Sequence, residues 1–67
     1  MTNRERIGIQ IATLRNEKGY TVRGLAELSG VSSQNITKIE NGKYNVSIDI
    51  LSRVAKALDA ELNLVKL

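Results

Sequence analysis

The sequence contains no cysteine and no histidine. This removes disulfides, thiolate or imidazole zinc sites, cysteine nucleophiles and Ser/His/Asp triads together. Proline is absent as well, so glycine and capping side chains must punctuate the chain. With no Phe or Trp and two Tyr, the 42% hydrophobic fraction is mostly aliphatic, and the core is expected to consist of Ile, Leu, Val and Ala. No segment approaches the roughly 20 apolar residues of a membrane span. No apolar run follows the start Met1-Thr-Asn-Arg-Glu-Arg, so neither a membrane partner nor a signal peptide is expected, and the chain reads as cytoplasmic. A chain of 67 residues suggests one small domain without a separate regulatory module. Such a core rarely supplies more than about 3–5 kcal/mol, and with no staple available, regular helix packing and self-association are left to supplement it.

Ten Lys and Arg against seven Asp and Glu give a net charge of +3, which leans toward a polyanionic partner. Four helices follow from capping residues and apolar spacing. Thr2 with Glu5 has capping-box form, Ile7, Ile11 and Leu14 recur at helical spacing, and Lys18-Gly19 closes a first helix over about residues 3–18. Thr21 caps a second over about 22–29, with Leu25, Ala26 and Leu28 as its buried candidates, and Gly30 ends it. Ser32 caps a third over about 33–41, with Ile36 and Ile39 inward and Gly42 at its end. A fourth follows Ser47 over about 48–59 and places Ile48, Leu51, Val54, Ala55 and Leu58 on one face.

Beyond Asp59 the period changes from helical to two, because Ala60, Leu62 and Leu64 alternate with Glu61, Asn63 and Val65. That pattern predicts a short C-terminal β-strand, and with no second strand in the chain its hydrogen-bonding partner has to be another copy. The division is then a helical unit over 1–59 and a dimerisation segment over 60–67. Leu62 and Leu64 lead the expected contact, with Ile50 and Ala57 at the edge of the fourth helix adding to it and Ile9 a further exposed aliphatic nearby.

The second and third helices, joined by Gly30-Val31-Ser32, have the form of a helix-turn-helix, whose second helix can enter the major groove of DNA. Ala26 is small where the helices approach, Gly30 can take a positive φ in the turn, and Leu25, Val31, Ile36 and Ile39 fill the wedge between them. With Ile36 and Ile39 inward, Ser33, Gln34, Thr37 and Lys38 point away. Gln can bond adenine N6 and N7 together, and Lys can reach guanine O6 and N7. Phosphate contacts are expected where helix ends and loops offer N–H groups and cations: Thr21, Arg23, Ser32, Asn41, Lys43 and Tyr44.

Residues 7–58 resemble the Cro/repressor type of helix-turn-helix domain. The resemblance rests on Ile7-Gly8, Ile11, Leu14-Arg15 and Lys18-Gly19, then Leu25-Ala26-Glu27, Gly30-Val31-Ser32 and Ile36, and above all Ile39-Glu40-Asn41-Gly42-Lys43. It continues through Leu51, Ala55, Lys56, Ala57 and Leu58. It implies an all-α, four-helix repressor-like fold, an ion pair between Arg15 and Glu40, and base reading by Ser33, Gln34 and Lys38 with Thr37 nearer the backbone. It also implies double-stranded DNA as partner, a homodimer on an inverted repeat, and no enzymatic activity, cofactor or metal. The chain departs from the family at Val22, where Gln is common and holds a phosphate, at Gly24, where Glu is common, at Val46, where Pro is usual, and over residues 60–67, where many relatives continue into a fifth helix.

The leading expectation is a repressor of transcription. An antitoxin with a toxin partner is a variant of it, and a protein-interaction module that has lost DNA binding belongs to a different class. Gly19-Tyr-Thr-Val-Arg-Gly24 has the glycine spacing of a phosphate loop, but Leu25-Ala26 stands where Lys-Ser/Thr is required, which disfavours an enzyme.

Overall fold

The computed structural model describes residues 1–67. It contains four helices: α1 (Asn3–Glu17), α2 (Val22–Ser29), α3 (Ser33–Glu40) and α4 (Ile48–Ala57). Each begins at a hydroxyl side chain in extended conformation that accepts from a backbone N–H of the first turn: Thr2, Thr21, Ser32 and Ser47. A cap of this kind contributes about 1 kcal/mol by satisfying one of the orphan donors of a helix start. Thr2 completes a full capping box, since Glu5 returns a carboxylate oxygen to the Thr2 N–H at 2.8 Å.

α2 ends at the position read from sequence, whereas α1, α3 and α4 end one or two residues short of it, because the caps unwind the last turn. At the end of α1, Tyr20 N–H bonds Arg15 C=O and Gly19 N–H bonds Asn16 C=O; α3 repeats the arrangement with Lys43 to Lys38 and Gly42 to Ile39. These paired bonds are the Schellman motif, which needs a left-handed residue after the helix. At α4 that residue is Asp59, the one non-glycine with positive φ, at 55°.

The core consists of Ile11, Leu25, Val31, Ile36, Ile39, Leu51, Val54 and Leu58, with Leu25, Ile36 and Val54 fully enclosed. Every helix contributes to it, and the principal packed pairs are α1 with α3, α3 with α2, and α2 with α4. No buried side-chain N or O lacks a hydrogen-bond partner. No helix is long and apolar enough to cross a membrane.

Three expectations are corrected, the first being that Ile48, expected on the apolar face of the fourth helix, is 72% exposed at its first turn. Residues 60–67 form no strand; the fold is all-helical, and Leu64, Val65 and Leu67 lie almost wholly exposed. An extended segment needs a neighbouring edge for its N–H and C=O groups, and a single chain of four helices offers none. Leu28 is 60% exposed rather than buried. Its inward place is taken by Ser29, whose Oγ donates to Leu25 C=O at 2.7 Å and accepts from Val31 N–H at 3.3 Å. A small hydroxyl that satisfies itself on the backbone can face the core, and doing so rotates Leu28 outward.

Candidate nucleic-acid interface

The turn between α2 and α3 is three residues long because Gly30 adopts φ 73° and its N–H caps Ala26 C=O, while Ser32 starts the next helix at once. Left-handed backbone at this corner is open to glycine at little cost. Val31 is buried under the corner and Ser29 anchors its N–H. The angle between α2 and α3 is therefore held by backbone geometry, a buried valine and an internal hydroxyl, not by surface charges.

With Ile36 and Ile39 buried, α3 turns Ser33, Gln34, Thr37 and Lys38 to solvent. None of these four makes a side-chain hydrogen bond or ion pair within the molecule. The neighbouring hydroxyls are occupied: Ser32 Oγ accepts from Asn35 N–H at 3.2 Å and Thr21 Oγ1 from Gly24 N–H at 2.9 Å. Thr21 and Ser32 therefore serve as caps in the free chain. Arg23 is exposed and lies 3.9 Å from Glu27, a loose pair worth little in water. Asn41 and Lys43 are exposed on the loop after α3, and Tyr44 is half-buried against the core. Ile50 and Ala57 are half-buried on the chain's own core, whereas Leu62 is 42% and Leu64 97% exposed.

Two contacts fix α3 to α1. At Gly8 a Cβ would collide with the carbonyl oxygens of Ile39 and Glu40, so only glycine permits this helix crossing. One helical stretch further on, Arg15 grips Glu40 with two bonds, Nε to Oε2 at 2.7 Å and Nη2 to Oε1 at 3.0 Å. Its Nη1 also donates to Tyr20 C=O at 2.9 Å. The two side chains are only 15% and 11% exposed. A charge-assisted fork of this kind is both strong and directional. The Glu40 hydrogen bond holds the Arg15 guanidinium above its usual range, so the charge is permanent.

Gly42, at φ 70°, rests on the first turn of α1; a Cβ there would lie 2.8 Å from Glu5 Cγ and 3.0 Å from Glu5 Cα. The loop carrying Lys43 and Tyr44 is thus seated on the start of α1. Sequence reasoning did not find Ser29, whose inward face no apolar pattern marks, or the pair between Lys18 Nζ and Asp59 Oδ2 at 2.6 Å, which joins residues 41 positions apart.

A helix-turn-helix family model matches residues 11–65. The chain is similar to the HTH-type transcriptional regulator SlrR of Bacillus subtilis, 42% identical over 57 residues, covering 84% of this chain and 38% of that protein. Among solved structures, the clp gene regulator ClgR of Corynebacterium glutamicum superposes with a TM-score of 0.88 at 37% identity, covering 92% of this chain and 80% of that one. The SinR protein/SinI protein complex gives 0.77 at 39% identity, over 82% of this chain and 54% of that one. The chain spans about half or less of the length of the first curated relatives it matches.

Proposed function

The chain belongs to the helix-turn-helix family, and from that premise we propose that it is a sequence-specific DNA-binding transcription regulator acting as a repressor. The supporting observation is the solvent-facing side of α3, where Ser33, Gln34, Thr37 and Lys38 are all exposed and all uncommitted. A helix whose polar face is unused by its own fold, braced from behind by Gly8 and the Arg15–Glu40 fork, suits insertion into a major groove.

In this reading Gln34 takes adenine, Lys38 a guanine, Ser33 a base edge, and Thr37 lies nearer the backbone. Thr21, Arg23, Ser32, Asn41, Lys43 and Tyr44 hold phosphates and set the register. Residues 1–59 form the DNA-binding unit, and residues 60–67 are a dimerisation segment in which Leu62 and Leu64 meet their mates, with Ile50 and Ala57 at its border. The homodimer occupies an inverted repeat with half-sites about 34 Å apart and occludes a promoter in the cytoplasm. No catalytic step, cofactor or metal enters this function.

Selection from random duplexes, followed by titration of the recovered duplex at two salt concentrations, tests the reading. Enrichment of an inverted repeat and affinity that falls with salt are expected. Recovery of no common sequence, or salt-independent affinity, would sink it. A protein partner is a second reading, favoured by the likeness to the SinR protein/SinI protein complex; a toxin partner would be one case of it.

A further inference from the structure

The first turn of α1 carries an arginine that the DNA-binding reading has not used. On α1, residues 4, 8, 11 and 15 share one stripe. Gly8 of this stripe lies on the Ile39 and Glu40 carbonyls, Ile11 is buried, and Arg15 holds Glu40. The stripe therefore meets the C-terminal end of α3, and Arg4 continues it toward the loop that begins at Gly42.

Two clefts mark the place. In one, of 390 Å³, Asn3, Arg4 and Glu5 face Gly42; in the other, of 120 Å³, Asn3 and Arg4 face Tyr44 and Asn45. Arg4 is exposed and takes part in none of the three ion pairs of the chain, which are Arg15–Glu40, Lys18–Asp59 and Arg23–Glu27. The adjacent carboxylate, Glu5, is engaged by the Thr2 N–H at 2.8 Å. Because Gly42 packs on Glu5 without room for a Cβ, the position of Arg4 relative to Lys43 and Tyr44 is set by backbone contact.

We propose that Arg4 is a DNA-backbone contact, extending the edge formed by the Lys43 cation and the neighbouring Tyr44 onto the start of α1. The inference rests on the DNA-binding reading above. Its partner is a phosphate of duplex DNA, held by charge and donated hydrogen bonds, and it reads no base. Arg6 lies two residues on, about 200° around the helix, with the same charge and no ion pair. It is the internal control.

The test uses the full chain and a duplex recovered by selection, with a scrambled duplex alongside. Arg4→Gln is expected to lower the slope of log affinity against log salt by about 0.9, the increment of one lost phosphate contact, on both duplexes. Arg6→Gln is expected to leave the slope unchanged, and Lys43→Gln to lower it as Arg4→Gln does. In a scan of single methylphosphonate substitutions, one position should weaken the wild type but not Arg4→Gln. A wild-type slope in Arg4→Gln alongside a reduced slope in Lys43→Gln would overturn the role of Arg4 and leave the DNA-binding reading standing. Equal losses in Arg4→Gln and Arg6→Gln would reduce the effect to bulk charge and overturn it too. Salt-independent binding by the wild type would overturn both readings together.

Discussion

The two glycines inside helices make opposite predictions. At Gly8 an added methyl meets backbone oxygens that cannot retreat without separating α1 from α3. Gly8→Ala should destabilise by about 3 kcal/mol, the upper range for overpacking, despite alanine's better helix propensity. At Gly24 the only neighbour of a Cβ is Thr21 Oγ1 at 3.2 Å. The same relation exists at the start of α1, where Glu5 stands third after a threonine cap and its N–H bonds Thr2 Oγ1 at 3.1 Å. Gly24→Glu should therefore complete a second capping box and raise stability by about 1 kcal/mol, read as a shift in urea midpoint. It should also weaken DNA binding, because its carboxylate sits beside the phosphate contacts proposed for Thr21 and Arg23. A variant that gains neither stability nor repulsion would show that this helix start is differently arranged. Gln34→Ala should lose about 1–3 kcal/mol of binding and relax specificity at one base pair; an unchanged selected sequence would remove Gln34 from the groove.

Among the helices, the N-terminal starts were legible because a hydroxyl cap leaves a local signature, and Thr2, Thr21, Ser32 and Ser47 each precede an apolar period. The region after α4 was not, since alternation over residues 60–67 marks two faces without saying what either one meets. Leu28 misled for a related reason: apolarity favoured it for the core, while the hydrogen bonds that let Ser29 turn inward leave no trace in composition. The exposed face of α3 follows from spacing alone, but the fit of Gly42 on Glu5 joins residues 37 positions apart and leaves no local pattern. The capping box of α1 also predicts a pH response. The backbone hydrogen bond from Thr2 holds the Glu5 carboxyl below its usual 4.5. The folded state thus binds this proton less readily than the unfolded one, so the contribution is complete above about pH 4.5 and is lost as pH falls through the folded value. The stability gap between wild type and Glu5→Gln should be constant near neutrality and close on acidification. A gap that stays constant throughout would mean the charge contributes nothing.

For the molecule as a whole, the Arg15–Glu40 fork is better understood as a constraint on shape than as a store of stability. Glu40→Ala strands a largely enclosed cation and should cost about 2–4 kcal/mol, while replacing both partners with apolar residues of similar size should recover most of the loss. If the double variant is as unstable as the single one, the pair itself supplies the energy. If residues 60–67 hold the proposed dimer, truncation before Ala60 should yield monomers in sedimentation while the four helices persist; an intact dimer would place the interface elsewhere. The principal packed pairs run in series, from α1 to α3 to α2 to α4. Within that series the Lys18–Asp59 pair is the one side-chain hydrogen bond that reaches the α4 end of the chain. Exposed to water, with the Asp59 side chain 80% accessible, it is a light clasp between the ends of the two outermost helices. The Asp59 bond raises the Lys18 ammonium above its usual 10.5, so the clasp holds below that pH and opens as pH climbs through the folded value. The tail leaves from a turn that is also held by Asp59 N–H on Lys56 C=O and Ala60 N–H on Ala55 C=O, so opening this exposed clasp unties the two ends of the helical series without unwinding the end of α4.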